Sequence, residues 1–101
     1  MKFPGGLDFN AMMKQAREMQ EQMSREMKQT VVEASAGGDA VVVKMRGDFE
    51  VIEIKISPDI VKEGDVEMLQ DLIVAALAEA RRKTEEALKS KVGGMLPPGL
   101  L

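Results

Sequence analysis

The stretch from Phe9 to Lys28 holds five methionines and almost no other large apolar side chain. Phe9, Met12, Ala16, Met19 and Met23 recur at spacings of three, four, three and four, the seam of a helix that packs against another helix. The remaining positions are mostly Gln, Lys, Arg and Glu, so a helix about 30 Å long would stand partly in water. The pattern predicts an arm that needs a partner rather than a core element. Packing in a core or a dimer is the ordinary use of such a methionine row, and an adaptable partner groove the sharper one.

A chain of 101 residues supports one domain, and a domain of this size buries only about two-thirds of the surface its unfolded chain exposes. Dimerisation would relieve that shortage. The sequence contains no Cys, His, Trp or Tyr, which removes disulfides, thiolate chemistry, the usual zinc ligands and the usual general base near neutral pH. Ser24, Ser35, Ser57 and Ser90 have no histidine to activate them, so the chain reads as a non-enzyme. The opening Met-Lys-Phe-Pro-Gly-Gly-Leu-Asp lacks an apolar h-region, and no apolar run approaches the length of a membrane span. Cytoplasmic residence is the resulting expectation.

The element order follows from changes of period. After the Pro4-Gly5-Gly6 breaker, Asp8 or Asn10 can cap a helix running to about Lys28. Thr30 to Ala36 and the β-branched run Ala40 to Arg46 predict a hairpin about the turn Gly37-Gly38-Asp39. Gly47-Asp48 makes a second turn. Ile52, Ile54 and Ile56 then alternate with Glu53 and Lys55, as in a third antiparallel strand with one face buried. Ser57-Pro58-Asp59 opens a polar, turn-rich connection. Asp65 caps a second long helix, expected over Val66 to Lys91, whose Val66, Leu69, Leu72, Ile73, Ala76, Leu77 and Ala80 form a broad apolar face. Gly93-Gly94 is expected to end it. The fold class is α+β: helix, three-stranded antiparallel sheet, helix. Residues 1–8 are expected to be a flexible N-terminus, 9–92 a single domain and 93–101 a Gly/Pro-rich tail.

These residues resemble the YbaB/EbfC family of nucleoid-associated DNA-binding proteins. The likeness runs through Gly-Gly-Leu-Asp-Phe-Asn-Ala-Met-Met-Lys-Gln-Ala-Arg-Glu-Met-Gln, the central strands, Ile56-Ser-Pro-Asp, and Glu67-Met-Leu-Gln-Asp-Leu-Ile-Val-Ala-Ala. It continues through Ala80-Arg-Arg-Lys to the Gly94-Met-Leu-Pro-Pro-Gly close. The resemblance implies a homodimer with projecting helices in a tweezer-like shape, binding duplex DNA in the bacterial nucleoid.

Charge is distributed in a way that suits this. The net charge is −3, yet nucleic-acid affinity depends on where Lys and Arg meet phosphates. Residues 1–28 hold five basic against four acidic side chains, 29–79 hold four against eleven, and 80–101 hold five against two. The body is acidic and the helical ends are basic. Lys14, Arg17, Arg25 and Lys28 on the first helix, with Arg81, Arg82, Lys83, Lys89 and Lys91 on the last, are the candidate phosphate contacts. The plainer reading is that late basic residues complement the helix dipole and that Glu21 and Arg25 form an ordinary i,i+4 pair.

Other signals point to structure. Glu63, Asp65, Glu67 and Asp71 surround a helix start, where caps and dipole partners are common, and lack the spacing of a calcium loop. Neither glycine pair has the spacing of a phosphate-binding loop. Neither a metal nor a cofactor is expected. With only Phe3, Phe9 and Phe49 as aromatics there is no stacking platform for single strands, which favours duplex DNA. The rival reading is a protein-interaction module that grips a protein partner through the methionine-rich arms or the tail Leu96-Pro97-Pro98-Gly99-Leu100-Leu101.

Overall fold

The structure, a computed structural model, describes residues 2–3 and 7–95. A short antiparallel pair, β1 (Lys2–Phe3) with β2 (Leu7–Asp8), precedes the first long helix, α1 (Phe9–Gln29). The Asp8 carboxylate accepts the Asn10 amide at 2.9 Å and caps this helix. No Gly, Pro or β-branched residue interrupts it. It stops at Thr30, whose backbone is extended and whose amide and hydroxyl both donate to the Glu26 carbonyl, at 3.0 and 2.6 Å. The β-branched pair Val31-Val32 follows and the chain enters the sheet.

The sheet has the order β3 (Val31–Ala36), β4 (Val41–Arg46), β5 (Val51–Ile56), antiparallel throughout. Its first turn carries left-handed backbone at Gly37, Gly38 and Asp39. Across the second, Arg46 donates to Asp48 and Glu50, and Phe49 takes the left-handed conformation. Val41 faces Ile56 and Val43 faces Ile54, with an irregularity between Lys44 and Met45.

The Ser57-Pro58-Asp59 connection contains a short helix, α2 (Pro58–Lys62), that the turn-rich reading missed. Its signals were present: the Ser57 hydroxyl accepts the Asp59 amide at 3.3 Å, and proline stands at the first helical position. Asp65 accepts the Met68 amide at 3.0 Å and starts α3 (Val66–Met95) as expected. The expected stop at Gly93-Gly94 is not observed. A glycine ends a helix by turning left-handed, and neither of these does so.

The core is a two-layer sandwich of α3 on the sheet. Ala34, Val41, Val43, Met45, Ala76 and Ala80 are buried, flanked by Val32, Ala36, Leu69, Leu72, Ile73 and Leu77. The small Ala34, Ala76 and Ala80 let the helix axis approach the strands closely. Thr84 is also buried and satisfies its hydroxyl on the Ala80 carbonyl at 2.8 Å.

Helix α3 lies over β3 and β4 and leaves β5 uncovered. The strand register puts Ile54 and Ile56 on the same face as the buried Val41 and Val43, yet Ile52, Ile54 and Ile56 are 45, 44 and 37% exposed. The sequence reading of a buried isoleucine face is therefore corrected for the single chain: the face is apolar, but no element among the described residues covers it. Helix α1 also stands clear. It has no buried residue, and only Met23, Glu26 and Met27 are half-buried. The molecule measures 71 × 23 × 17 Å with a radius of gyration of 20.4 Å, against about 13 Å for a compact chain of this length.

Candidate nucleic-acid interface

At 3.6 residues per turn, Lys14, Arg17, Arg25 and Lys28 fall within an arc of about 80° on α1. Phe9, Met12, Ala16, Met19 and Met23 occupy an arc of similar width centred about 160° away. The arm is thus two-sided, with a cationic stripe backing onto the methionine seam. From Lys14 to Lys28 the stripe runs about 21 Å, the length of about six base steps of duplex. All four cations are exposed and none is held in an ion pair among the described residues. The i,i+4 pair expected between Glu21 and Arg25 does not form, although Glu21 stands in the middle of the stripe.

The cations of α3 are disposed differently. Arg82 donates to Glu79 at 2.6 Å and to Glu86 at 2.7 Å, and Arg81 lies 3.3 Å from Glu85. The Arg82 hydrogen bond holds the Glu79 carboxyl below its ordinary value, and the same pairing raises Arg82. Two guanidinium groups are set against three carboxylates, so this surface has little net positive charge to offer a phosphate. Lys83 donates to the Glu33 carbonyl at 2.9 Å and fastens α3 to β3. Lys91 donates to the Thr30 hydroxyl at 2.7 Å and lies 3.3 Å from Glu26. It ties the end of α3 to the base of α1. Lys89 is exposed and has no partner among the described residues.

The nine candidates therefore do not converge on one surface. Four form the α1 stripe, two are neutralised on α3, two hold elements together and Lys89 stands apart. Sequence reading could place the late cations on a helix but could not see that Lys83 and Lys91 point back to the body.

It also missed what aims the arm. Gly47 is buried in the β4–β5 turn, and its amide donates to the Thr30 carbonyl at 2.8 Å. In the sequence it is one turn glycine among others; only the fold brings α1 against it. A second feature without a sequence signal is a shallow depression lined by Met45, Phe49, Leu77, Ala78 and Arg81.

Among the described residues, no helix is long and apolar enough to cross a membrane. Comparison with known proteins gives concordant results. The chain is 48% identical over 92 residues to the nucleoid-associated protein Acid345_1974 of Koribacter versatilis, covering 91% of each chain. It is 52% identical to a nucleoid-associated protein of Acidobacterium capsulatum, covering 88% of this chain and 92% of the relative. A third relative, nucleoid-associated protein Teth39_2199 of Thermoanaerobacter pseudethanolicus, is 45% identical, covering 97% of this chain and 95% of the relative. The fold is similar to the crystal structure of the uncharacterized protein HP0035 from Helicobacter pylori, with a TM-score of 0.66 and 24% identity, over 84% of this chain and 99% of that one. The YbaB/EbfC group is a DNA-binding family and not an enzyme family. Its profile matches residues 5–100, and with relatives this similar along almost their full length, the chain belongs to the YbaB/EbfC DNA-binding family.

Proposed function

We propose that the protein is a homodimer that binds duplex DNA mainly through phosphate contacts made by α1, and that it helps to organise the bacterial chromosome and regulate genes there. The observation that carries this reading is the unpaired stripe of Lys14, Arg17, Arg25 and Lys28 on an arm projecting from an acidic body. Such a stripe gains affinity by releasing counterions from the duplex, while the acidic body keeps the remainder of the surface off the DNA.

The dimer half of the proposal rests on β5. A strand with Ile54 and Ile56 exposed on the core-facing side, at 44 and 37%, presents an apolar face that a second copy can bury. A two-fold axis there gives two arms and two cationic stripes per particle, suited to two positions on one duplex. The name shared by the relatives is the support for location in the nucleoid.

The test is fluorescence anisotropy of a labelled random-sequence duplex at low and near-physiological salt, with molar mass by light scattering. Binding by a dimer that weakens steeply with salt is expected. Replacement of all four stripe residues by Gln should flatten the salt dependence by about four in log–log slope for each arm engaged. An intact dimer that ignores DNA at low salt would overturn the reading and make a protein-gripping role of the arms the leading one.

A further inference from the structure

Glu21 stands at the centre of the cationic stripe, both along α1 and around it. Arg17 and Arg25 lie about 6 Å before and after it on the helix axis and about 40° to either side. Lys14 and Lys28 lie about 10 Å away, each about 20° off its line and in opposite senses. Among the residues of α1, Glu21 is the one carboxylate within that arc, and four cations surround it.

The common role of such a residue is an i,i+4 ion pair that steadies the helix. Glu21 is exposed, stands four residues from both Arg17 and Arg25, and pairs with neither. Nor does it suit phosphate, because a carboxylate at the centre of a surface that meets the duplex backbone is repelled by it. An ionised carboxylate is acceptor-only, so it gains from a duplex only at a hydrogen-bond donor, and those donors are on the bases.

We infer that Glu21 reads base identity, accepting a hydrogen bond from the exocyclic amino group of cytosine in the major groove; this rests on the duplex binding proposed above. A helix with its side chains is about 10–12 Å across, which matches the major groove and is about twice the width of the minor groove. With the stripe turned inward, Glu21 points to the groove floor while Arg17 and Arg25 diverge toward the phosphates of the two strands. Adenine and cytosine each present an amino group on that floor. The adenine amino group lies between two acceptors, its own N7 and the thymine O4, which repel a carboxylate. The cytosine amino group has an acceptor, guanine O6, on one side only. Glu21 thus turns a stripe that would grip any duplex into one that prefers G·C pairs.

The test is anisotropy of the full chain with three labelled duplexes of equal length. The first has only A·T pairs and the second only G·C pairs. The third repeats the second with N4-methylcytosine, in which a methyl group replaces the amino hydrogen facing the major groove while pairing with guanine is kept. The parent protein should bind the unmethylated G·C duplex about fivefold more tightly than the methylated one. In Glu21→Ala, which favours the helix, that difference should vanish and binding to the A·T duplex should tighten. Equal binding of the two G·C duplexes by the parent protein would overturn the inference, as would a difference that persists in Glu21→Ala. Failure to bind any of the three at low salt would instead overturn the duplex-binding reading itself, and the inference with it.

Discussion

A methyl group placed on Gly47 would sit 2.3 Å from the carbonyl oxygen of Met27. The last turn of α1 therefore rests directly on the β4–β5 turn with no side chain between them, and the Gly47 amide secures the contact by donating to Thr30. Gly47→Ala should cost about 1–3 kcal/mol, because backbone rather than a flexible side chain must yield. It should also swing the arm. Urea denaturation measures the first effect and a spin-label distance between α1 and the sheet the second; unchanged values for both would show that the arm's angle is set elsewhere.

Freeing Arg82 should strengthen DNA binding. Glu79 and Glu86 hold its guanidinium, and exposed pairs of this kind contribute at most about 1 kcal/mol to stability. The double variant Glu79→Gln, Glu86→Gln is expected to melt close to the parent while its DNA affinity rises and its salt slope steepens by about one. A steeper slope without loss of fold is the diagnostic combination in anisotropy titrations.

Introducing charge on the uncovered strand should break the dimer. Ile54 is 44% exposed in the single chain, so Ile54→Lys leaves the intrachain core nearly intact while placing an ammonium in the proposed apolar interface. Light scattering should report half the parent mass. Retention of the parent mass would move the interface off β5.

The Arg46–Asp48 pair sets an acid limit for the β4–β5 turn. The hydrogen bond from Arg46 holds the Asp48 carboxyl at about 2, below its ordinary 3.8. Its contribution to the fold is complete above the ordinary value and is lost as pH falls from there through about 2. The carboxyl carbon chemical shift of Asp48, followed from pH 5 to 1.5, should show it protonating at about 2. In Arg46→Gln it should return toward the ordinary range.

Much of this architecture could be read in the sequence because local chemistry and fold agree. Asp8 and Asp65 cap the helices they precede, and the glycine turns separate strands of which the first two, Val31–Ala36 and Val41–Arg46, lie within a residue of the expected bounds, while the third, Val51–Ile56, contains the expected Ile52, Ile54 and Ile56. The failures occur where spacing cannot report tertiary placement. The alternation of Ile52, Ile54 and Ile56 marks an apolar face but not what covers it. Gly93 and Gly94 have the composition of a helix stop without the left-handed backbone that makes one. The candidate site divides for the same reason. The α1 cations share a face through helical periodicity alone, whereas the roles of Lys83 and Lys91 depend on partners 50 and 61 residues away.

Those separations have a bearing on the order in which the molecule closes. Gly37 and Leu72 are 35 residues apart, Lys83 reaches back 50 to Glu33, and Lys91 reaches back 61 to Thr30. Each successive tie between α3 and the remainder of the chain encloses a longer loop and forms at a growing entropic disadvantage, while the buried alanines and valines lie nearer the short-loop end. The molecule behaves as a zipper that starts beside the first hairpin and finishes at the arm. The tie between the end of α3 and the base of α1 is then the last contact made and the first released, so the end of α3 can part from the arm while the arm stays seated on Gly47.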